Sequence, residues 1–143
     1  MDIEDIKQQF FDWNDKKINH HLGRYNLDCK DVYFYEREVW WTALGKNIGY
    51  ELDGKHELFE RPVLILKKYS ESMCFILPLT TKIKDPGVWY QHLINIGERQ
   101  NAINLSQGRT ISSDRLLRKI ARMEEVVYCA ILDKFIESFK NNL

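Results

Sequence analysis

The chain has 143 residues, 44% hydrophobic and 29% charged, with 21 Lys plus Arg balanced by 21 Asp plus Glu. That length suits one soluble domain whose core needs neither disulfides nor metal to hold it together. Zero formal net charge excludes a globally basic nucleic-acid binder and leaves that role only to a local basic face.

The longest apolar run, Cys74 to Leu79, contains a proline and is too short to cross a bilayer, so no membrane association is expected. Met1-Asp2-Ile3-Glu4-Asp5 opens acidic and lacks the apolar stretch of a secretory signal, which sets the expected location as cytoplasmic. Cys29, Cys74 and Cys129 are odd in number and widely spaced, the pattern of reduced thiols rather than of a disulfide framework. The four histidines show no ligand spacing, so neither a metal nor another cofactor is expected.

Ile3, Ile6, Phe10, Trp13 and Ile18 recur at helical spacing, which predicts an amphipathic helix over residues 3 to 21 that Gly23 can stop. Asn26 to Lys30 reads as a polar connector. Val32 to Tyr35 and Glu38 to Leu44 are aromatic and β-branched, hence two strands or one strand interrupted at Glu36-Arg37. Trp40 and Trp41, adjacent on such a strand, must point to opposite faces, one into the core and one outward or over a groove. Gly45 to Glu60 has three glycines and no periodicity, the signature of a long mobile loop, and loops of that length in compact domains are functional or disordered.

Strands follow at Pro62 to Lys67, Met73 to Leu79, Val88 to Ile96 and Asn101 to Leu105, separated by turns at residues 69 to 72, 85 to 87 and 97 to 99. Short connections make neighbours antiparallel, and the absence of βαβ alternation points to a small closed or nearly closed barrel. Ile111 to Ile120 reads as a short helix capped by Ser112 or Ser113, and Met123 to Leu143 as a final amphipathic helix. The fold class is therefore α+β, mainly β.

Generic catalytic motifs are missing: no GxSxG elbow, no phosphate-binding GxxxxGK[ST] and no EF-hand pattern occurs. What remains is polar chemistry at strand ends. Arg61 stands where a proline-marked strand leaves the rim, and Thr80, Thr81 and Lys82 end another apolar run. A guanidinium donates paired hydrogen bonds to a phosphate, and a hydroxyl beside it can donate to developing charge. The plainer alternative makes Arg61 a surface ion pair with Glu60 or Asp53, and Thr80 a turn cap. His56, the loop's only imidazole, is by residue type a general-acid candidate. Arg109, Arg115, Arg118, Lys119 and Arg122 form a local basic cluster against the single acid Asp114; it can be an RNA face or simply a solvated helix face.

Five ordered motifs resemble the MazF/PemK toxins of type II toxin-antitoxin modules. They are Glu38-Val39-Trp40-Trp41, Leu44-Gly45-Lys46-Asn47-Ile48-Gly49, Glu60-Arg61-Pro62-Val63-Leu64-Ile65-Leu66, Leu77-Pro78-Leu79-Thr80-Thr81-Lys82-Ile83 and Leu105-Ser106-Gln107-Gly108-Arg109. The resemblance implies an SH3-like antiparallel barrel over residues 31-143 with C-terminal helices, preceded by an N-terminal helical extension over residues 1-30. It further implies a homodimer that cuts single-stranded RNA without metal through attack of the 2′-hydroxyl, leaving a 2′,3′-cyclic phosphate, and a cognate antitoxin protein that blocks the groove. The catalytic pair carried over is Arg61 and Thr80. Asn104, Ser106 and Tyr50 stand where the PemK branch has an Arg, an Asp and a loop His, so the resemblance names no general base.

Such enzymes recognise unpaired bases, which suits stacking on Trp40 or Trp41 and on Phe59 or Tyr50. The expected RNA-binding set is Trp40, Lys46, Tyr50, Phe59, Thr81, Lys82, Gln107 and Arg109. The competing expectation is a non-catalytic binding module on the same fold, gyrase-poison-like or regulatory.

Overall fold

The computed structural model describes residues 1 to 23, 32 to 84 and 87 to 140. The expected connector at Asn26 to Lys30, Cys29, the boundary at residues 30 and 31, and part of the 85 to 87 turn lie outside them. Helix α1 spans Ile3–His21. Seven strands follow: β1 Glu38–Ala43, β2 Glu60–Lys68, β3 Met73–Thr80, β4 Gln91–Ile96, β5 Arg99–Asn104, β6 Arg109–Ser112 and β7 Leu116–Arg122. Helix α2, Glu125–Lys140, closes the chain.

The strands form one antiparallel sheet in the order β4-β5-β3-β2-β1-β7, with β6 also paired to β3. β3 makes this curl possible. Its first half pairs β6, from Met73 opposite Ser112 to Ile76 opposite Arg109, while its end pairs β5 through Leu79 opposite Ile103 and Thr80 opposite Ala102. β2 covers the other edge of β3. The result is a half-barrel rather than a flat sheet.

Alternation along β2 and β3 supplies a core on each face. Val63, Ile65, Cys74 and Ile76 pack with Phe34, Trp40, Leu44, Ile111 and Leu116 on one side. Leu64, Leu66, Leu77 and Leu79 pack with Val39, Ile94, Ile103 and Leu105 on the other, closed by Ile131 of α2. A run buried on both faces reads as continuous hydrophobicity, which is why these strands stood out in the sequence. The Tyr128 hydroxyl donates to the Leu66 carbonyl at 2.7 Å and fixes α2 against β2.

Three expectations change. Val32 to Tyr35 is not a strand; Phe34 is nevertheless fully buried. The helix expected over Ile111 to Ile120 is a single 3-10 turn, Ser113–Arg115, followed by β7. Ser112 does cap it, accepting from the Asp114 amide at 3.2 Å, but pairing of β7 with β1 then outweighs the helical propensity of Leu, Arg and Lys. The Gly45 to Glu60 segment is not structureless. Lys55 and Glu60 exchange backbone bonds of 2.7 and 3.0 Å, so His56 to Phe59 form a tight turn that extends β2.

Among the described residues no helix is long and apolar enough to cross a membrane, and no group of His, Cys, Asp and Glu is placed to hold a metal ion. Cys74 and Cys129 are unpaired thiols, the first buried and the second exposed.

Candidate active site

Arg61 enters β2 opposite Thr42 of β1, and Thr80 ends β3. β2 and β3 are antiparallel neighbours whose register runs from Val63 opposite Pro78, so the start of one strand and the end of the other fall on the same rim. Here the chain builds a cavity of about 250 Å³. Arg61, Thr80 and Thr81 line it together with Trp41, Lys55, His56, Arg99 and Asn101.

Arg61 is only 7% exposed, which rules out the surface ion pair. Its Nε donates to the Asp53 carbonyl at 2.7 Å and its Nη1 to the Leu79 carbonyl at 3.0 Å. Glu60, the other suggested partner, is taken by Arg118 in a two-pronged pair of 3.0 and 3.1 Å. Two backbone carbonyls thus aim the guanidinium while its remaining N–H groups stay available to an anion in the cavity. Burial lowers the Arg61 pKa, against the raising effect of Asp53, which makes it a better proton donor than a solvated arginine.

Thr80 is 8% exposed. Its Oγ1 accepts from the Lys82 amide at 3.1 Å. Because a hydroxyl has one proton and two acceptor sites, that bond fixes the oxygen without using its hydrogen, which is left to donate.

The charge at the rim is positive. Burial, followed by the charges of Arg61, Lys82 and Arg99, lowers the Lys55 pKa. Such convergence of cations suits a phosphodiester. Lys55 and His56 sit in the turn that extends β2, where His56 and Phe59 have φ of 64° and 51°, a conformation that non-glycine residues adopt at a cost and that clusters at functional sites.

The other expected residues divide. Thr81 lines the cavity, and the exposed Lys82 stands beside it. Trp40 does not reach it: the ring lies in the core and its Nε1 donates to Glu38 at 3.1 Å. Trp41, on the opposite face, is the tryptophan of the cavity, with the Arg118 guanidinium 5.0 Å from its ring centre. Phe59 is buried against Trp13 at 5.7 Å. Lys46 pairs with Asp53 at 3.1 Å. Tyr50 is fully exposed. Gln107 is a bracket, donating to the Tyr50 carbonyl at 3.0 Å and accepting from the Leu52 amide at 3.2 Å. Arg109 lies on β6 across from Ile76, away from the cavity lining.

The basic cluster is largely paired and lies around β7. Lys119 meets Glu38 at 2.9 Å, and Arg115 donates to the Ala43 carbonyl at 3.0 Å, its pKa pushed down to about 10 by burial and by Arg109. Sequence reasoning missed Lys55, Arg99 and Asn101. Arg99 and Asn101 are two apart on β5 and so share a face, but only the β3–β5 pairing brings that face to Thr80. Lys55 carried no signal beyond adjacency to His56.

Comparison of the sequence with curated proteins finds no match. Solved structures do match. MazF from Deinococcus radiodurans aligns at a TM-score of 0.58 and 14% identity, covering 77% of this chain and 99% of that one. An endoribonuclease in complex with its cognate antitoxin, from a mycobacterial species, gives 0.56 and 12%, covering 78% and 99%. Mycobacterium tuberculosis toxin MazF-mt6 gives 0.55 and 18%, covering 75% and 100%. At these identities the likeness shows the fold. A family model described as PemK-like, MazF-like toxin of type II toxin-antitoxin system matches residues 35–139. With its strand order, its rim and that match over most of its length, the chain belongs to the PemK-like, MazF-like toxin family of type II toxin-antitoxin systems.

Proposed function

We propose that the protein is an endoribonuclease toxin that cuts single-stranded RNA by internal transphosphorylation and is neutralised by a cognate antitoxin. The observation that carries this reading is the placement of the buried, carbonyl-aimed Arg61 and the oriented Thr80 hydroxyl on one cationic cavity. Membership of a family whose solved neighbours include an endoribonuclease held by its antitoxin supports both parts.

In the proposed reaction the 2′-oxygen of a ribose attacks the adjacent phosphorus, the P–O2′ bond forms and the P–O5′ bond breaks. The products are a 2′,3′-cyclic phosphate and a free 5′-hydroxyl. The 2′-oxygen gives up its proton and the departing 5′-oxygen takes one. Arg61 holds the non-bridging oxygens and protonates the leaving group. Thr80 donates to the charge that grows on the phosphorane. Of the cavity's lining groups, His56 and Glu60 are by type able to take the 2′ proton, a role that no motif in the sequence assigned. The protein acts as a cytoplasmic homodimer.

The test is steady-state cleavage of a single-stranded RNA by Thr80→Val and Thr80→Ser. Removing one transition-state donor costs about 10²–10³ in kcat, so the valine variant loses that much while serine, which keeps the hydroxyl, retains most activity. Equal rates for all three proteins overturn the role of Thr80.

A further inference from the structure

Helix α1 precedes the residues matched by the family, yet one of its side chains reaches the frame of the site. Most of the helix's large apolar side chains are exposed; Trp13 and His20 are its buried residues. The His20 ring contacts the Asp114 carbonyl at 3.2 Å. The Trp13 indole packs with Ala43 and Phe59 and lies directly on the backbone at Gly45. A Cβ placed on that glycine, which has φ of 85°, would collide with Cε2, Cζ2 and Nε1 of the indole.

The segment under the indole is tied into one unit. The Phe59 carbonyl accepts from both the Leu44 and Gly45 amides at 3.1 Å, and Gly54 donates to the Gly45 carbonyl at 2.8 Å. Gly54 is so close to the Phe59 carbonyl that no Cβ would fit between them. On either side of Gly54 stand the two working positions, Asp53, whose carbonyl aims Arg61, and Lys55, which begins the cavity wall. Trp13 therefore rests on the joint where the two arms of the segment cross.

We propose that Trp13 is a positioning residue for the candidate active site: its indole braces the Gly45–Glu60 segment and, through it, fixes the Lys55–His56 wall and the carbonyl that orients Arg61. The effect on catalysis rests on the endoribonuclease reading; the brace itself does not. Misplacing reacting groups by about 1 Å costs roughly 10²-fold in rate, so loss of the brace acts on kcat before it acts on binding.

The experiment compares wild type with Trp13→Ala, Trp13→Leu and Trp13→Phe, and with Ile131→Ala, which removes a core side chain of α2 in a cluster separate from this joint and controls for stability loss. Amide hydrogen exchange is read at Gly54, Lys55 and Glu60, and kcat and KM are read on a single-stranded RNA well below every melting point. The proposal expects exchange at those amides to rise at least about tenfold in Trp13→Ala and Trp13→Leu relative to Ile131→Ala. It expects kcat to fall about 10- to 100-fold with KM changed less than about threefold, and Trp13→Phe to recover most of both. Unchanged protection at the three amides, or wild-type kcat in folded Trp13→Ala, overturns it. Wild-type protein inert towards RNA overturns the endoribonuclease reading instead, and the exchange data then decide the brace by themselves.

Discussion

Replacing Arg61 by alanine is the obvious way to test its chemistry, yet its bonds show that the side chain is also structural. The guanidinium closes two carbonyls, that of half-buried Asp53 at 2.7 Å and that of buried Leu79 at 3.0 Å. Hydrogen bonds with a charged donor contribute about 1.5–3 kcal/mol each, and a stranded buried carbonyl costs about 1–3 kcal/mol. The two are not additive, and the adjoining cavity can admit water to the vacated space, so the net cost of Arg61→Ala is about 2–4 kcal/mol. A chain of this size shifts its melting point by roughly 2–4 °C per kcal/mol, which gives a fall of about 5–15 °C. Urea unfolding of wild type and Arg61→Ala, fitted to a common slope, measures the change in free energy. A loss below about 0.5 kcal/mol would show that the carbonyl clamps do not hold Arg61 in solution, and the argument for its orientation would fail. Arg61→Lys, which keeps the charge without the fork, is the better partner for activity work.

Glu38 is buried, and its desolvation, which alone would raise the pKa, is outweighed by bonds from Lys119, Trp40 and the Tyr35 amide, so the pKa lies below its usual 4.5. A lowered carboxylate pKa stabilises the fold above about pH 4.5 and loses that contribution as pH falls through the folded value. Urea midpoints between pH 7 and pH 3 should therefore drop less steeply in Glu38→Gln than in wild type. Burial raises the Cys74 thiol pKa to about 11, so at pH 8 in the folded protein iodoacetamide modifies the exposed Cys129 while Cys74 stays unmodified, as read by peptide mass spectrometry. Tyr128→Phe removes the 2.7 Å bond to the Leu66 carbonyl and should cost about 1 kcal/mol in the same urea assay.

Much of this architecture is legible in the sequence because local pattern and tertiary outcome agree. The spacing of Ile3 through Ile18 gave α1 to within its observed bounds, Ile3–His21, and the two-faced burial of β2 and β3 matches their unbroken apolar runs. Sequence reasoning put Arg61 and Thr80 at strand ends and left open whether the two ends meet; the antiparallel register of β2 and β3 brings them to one rim. β7 was hidden because Leu116 to Arg122 is composed of good helix formers, and only the open edge of β1 makes it a strand. Alternation separated the two tryptophans but could not say which faced inward; the bond from Trp40 to Glu38 settles it. Arg99 and Asn101 reach the site only through the β3–β5 pairing, and Lys55 through the turn that folds it back on Glu60; neither is signalled by local sequence pattern.

In the proposed reaction a ribose 2′-hydroxyl is the nucleophile at the Arg61–Thr80 cavity. Its most direct test gives wild-type protein, in excess EDTA, a single-stranded RNA containing its cleavage site and a matched strand with one 2′-deoxy substitution at the scissile nucleotide, with product ends identified by mass spectrometry. The expected result is RNA cut to a 2′,3′-cyclic phosphate and a 5′-hydroxyl, with the 2′-deoxy strand left whole. Cleavage of both strands at equal rate, or an RNA left intact by folded protein, would contradict it.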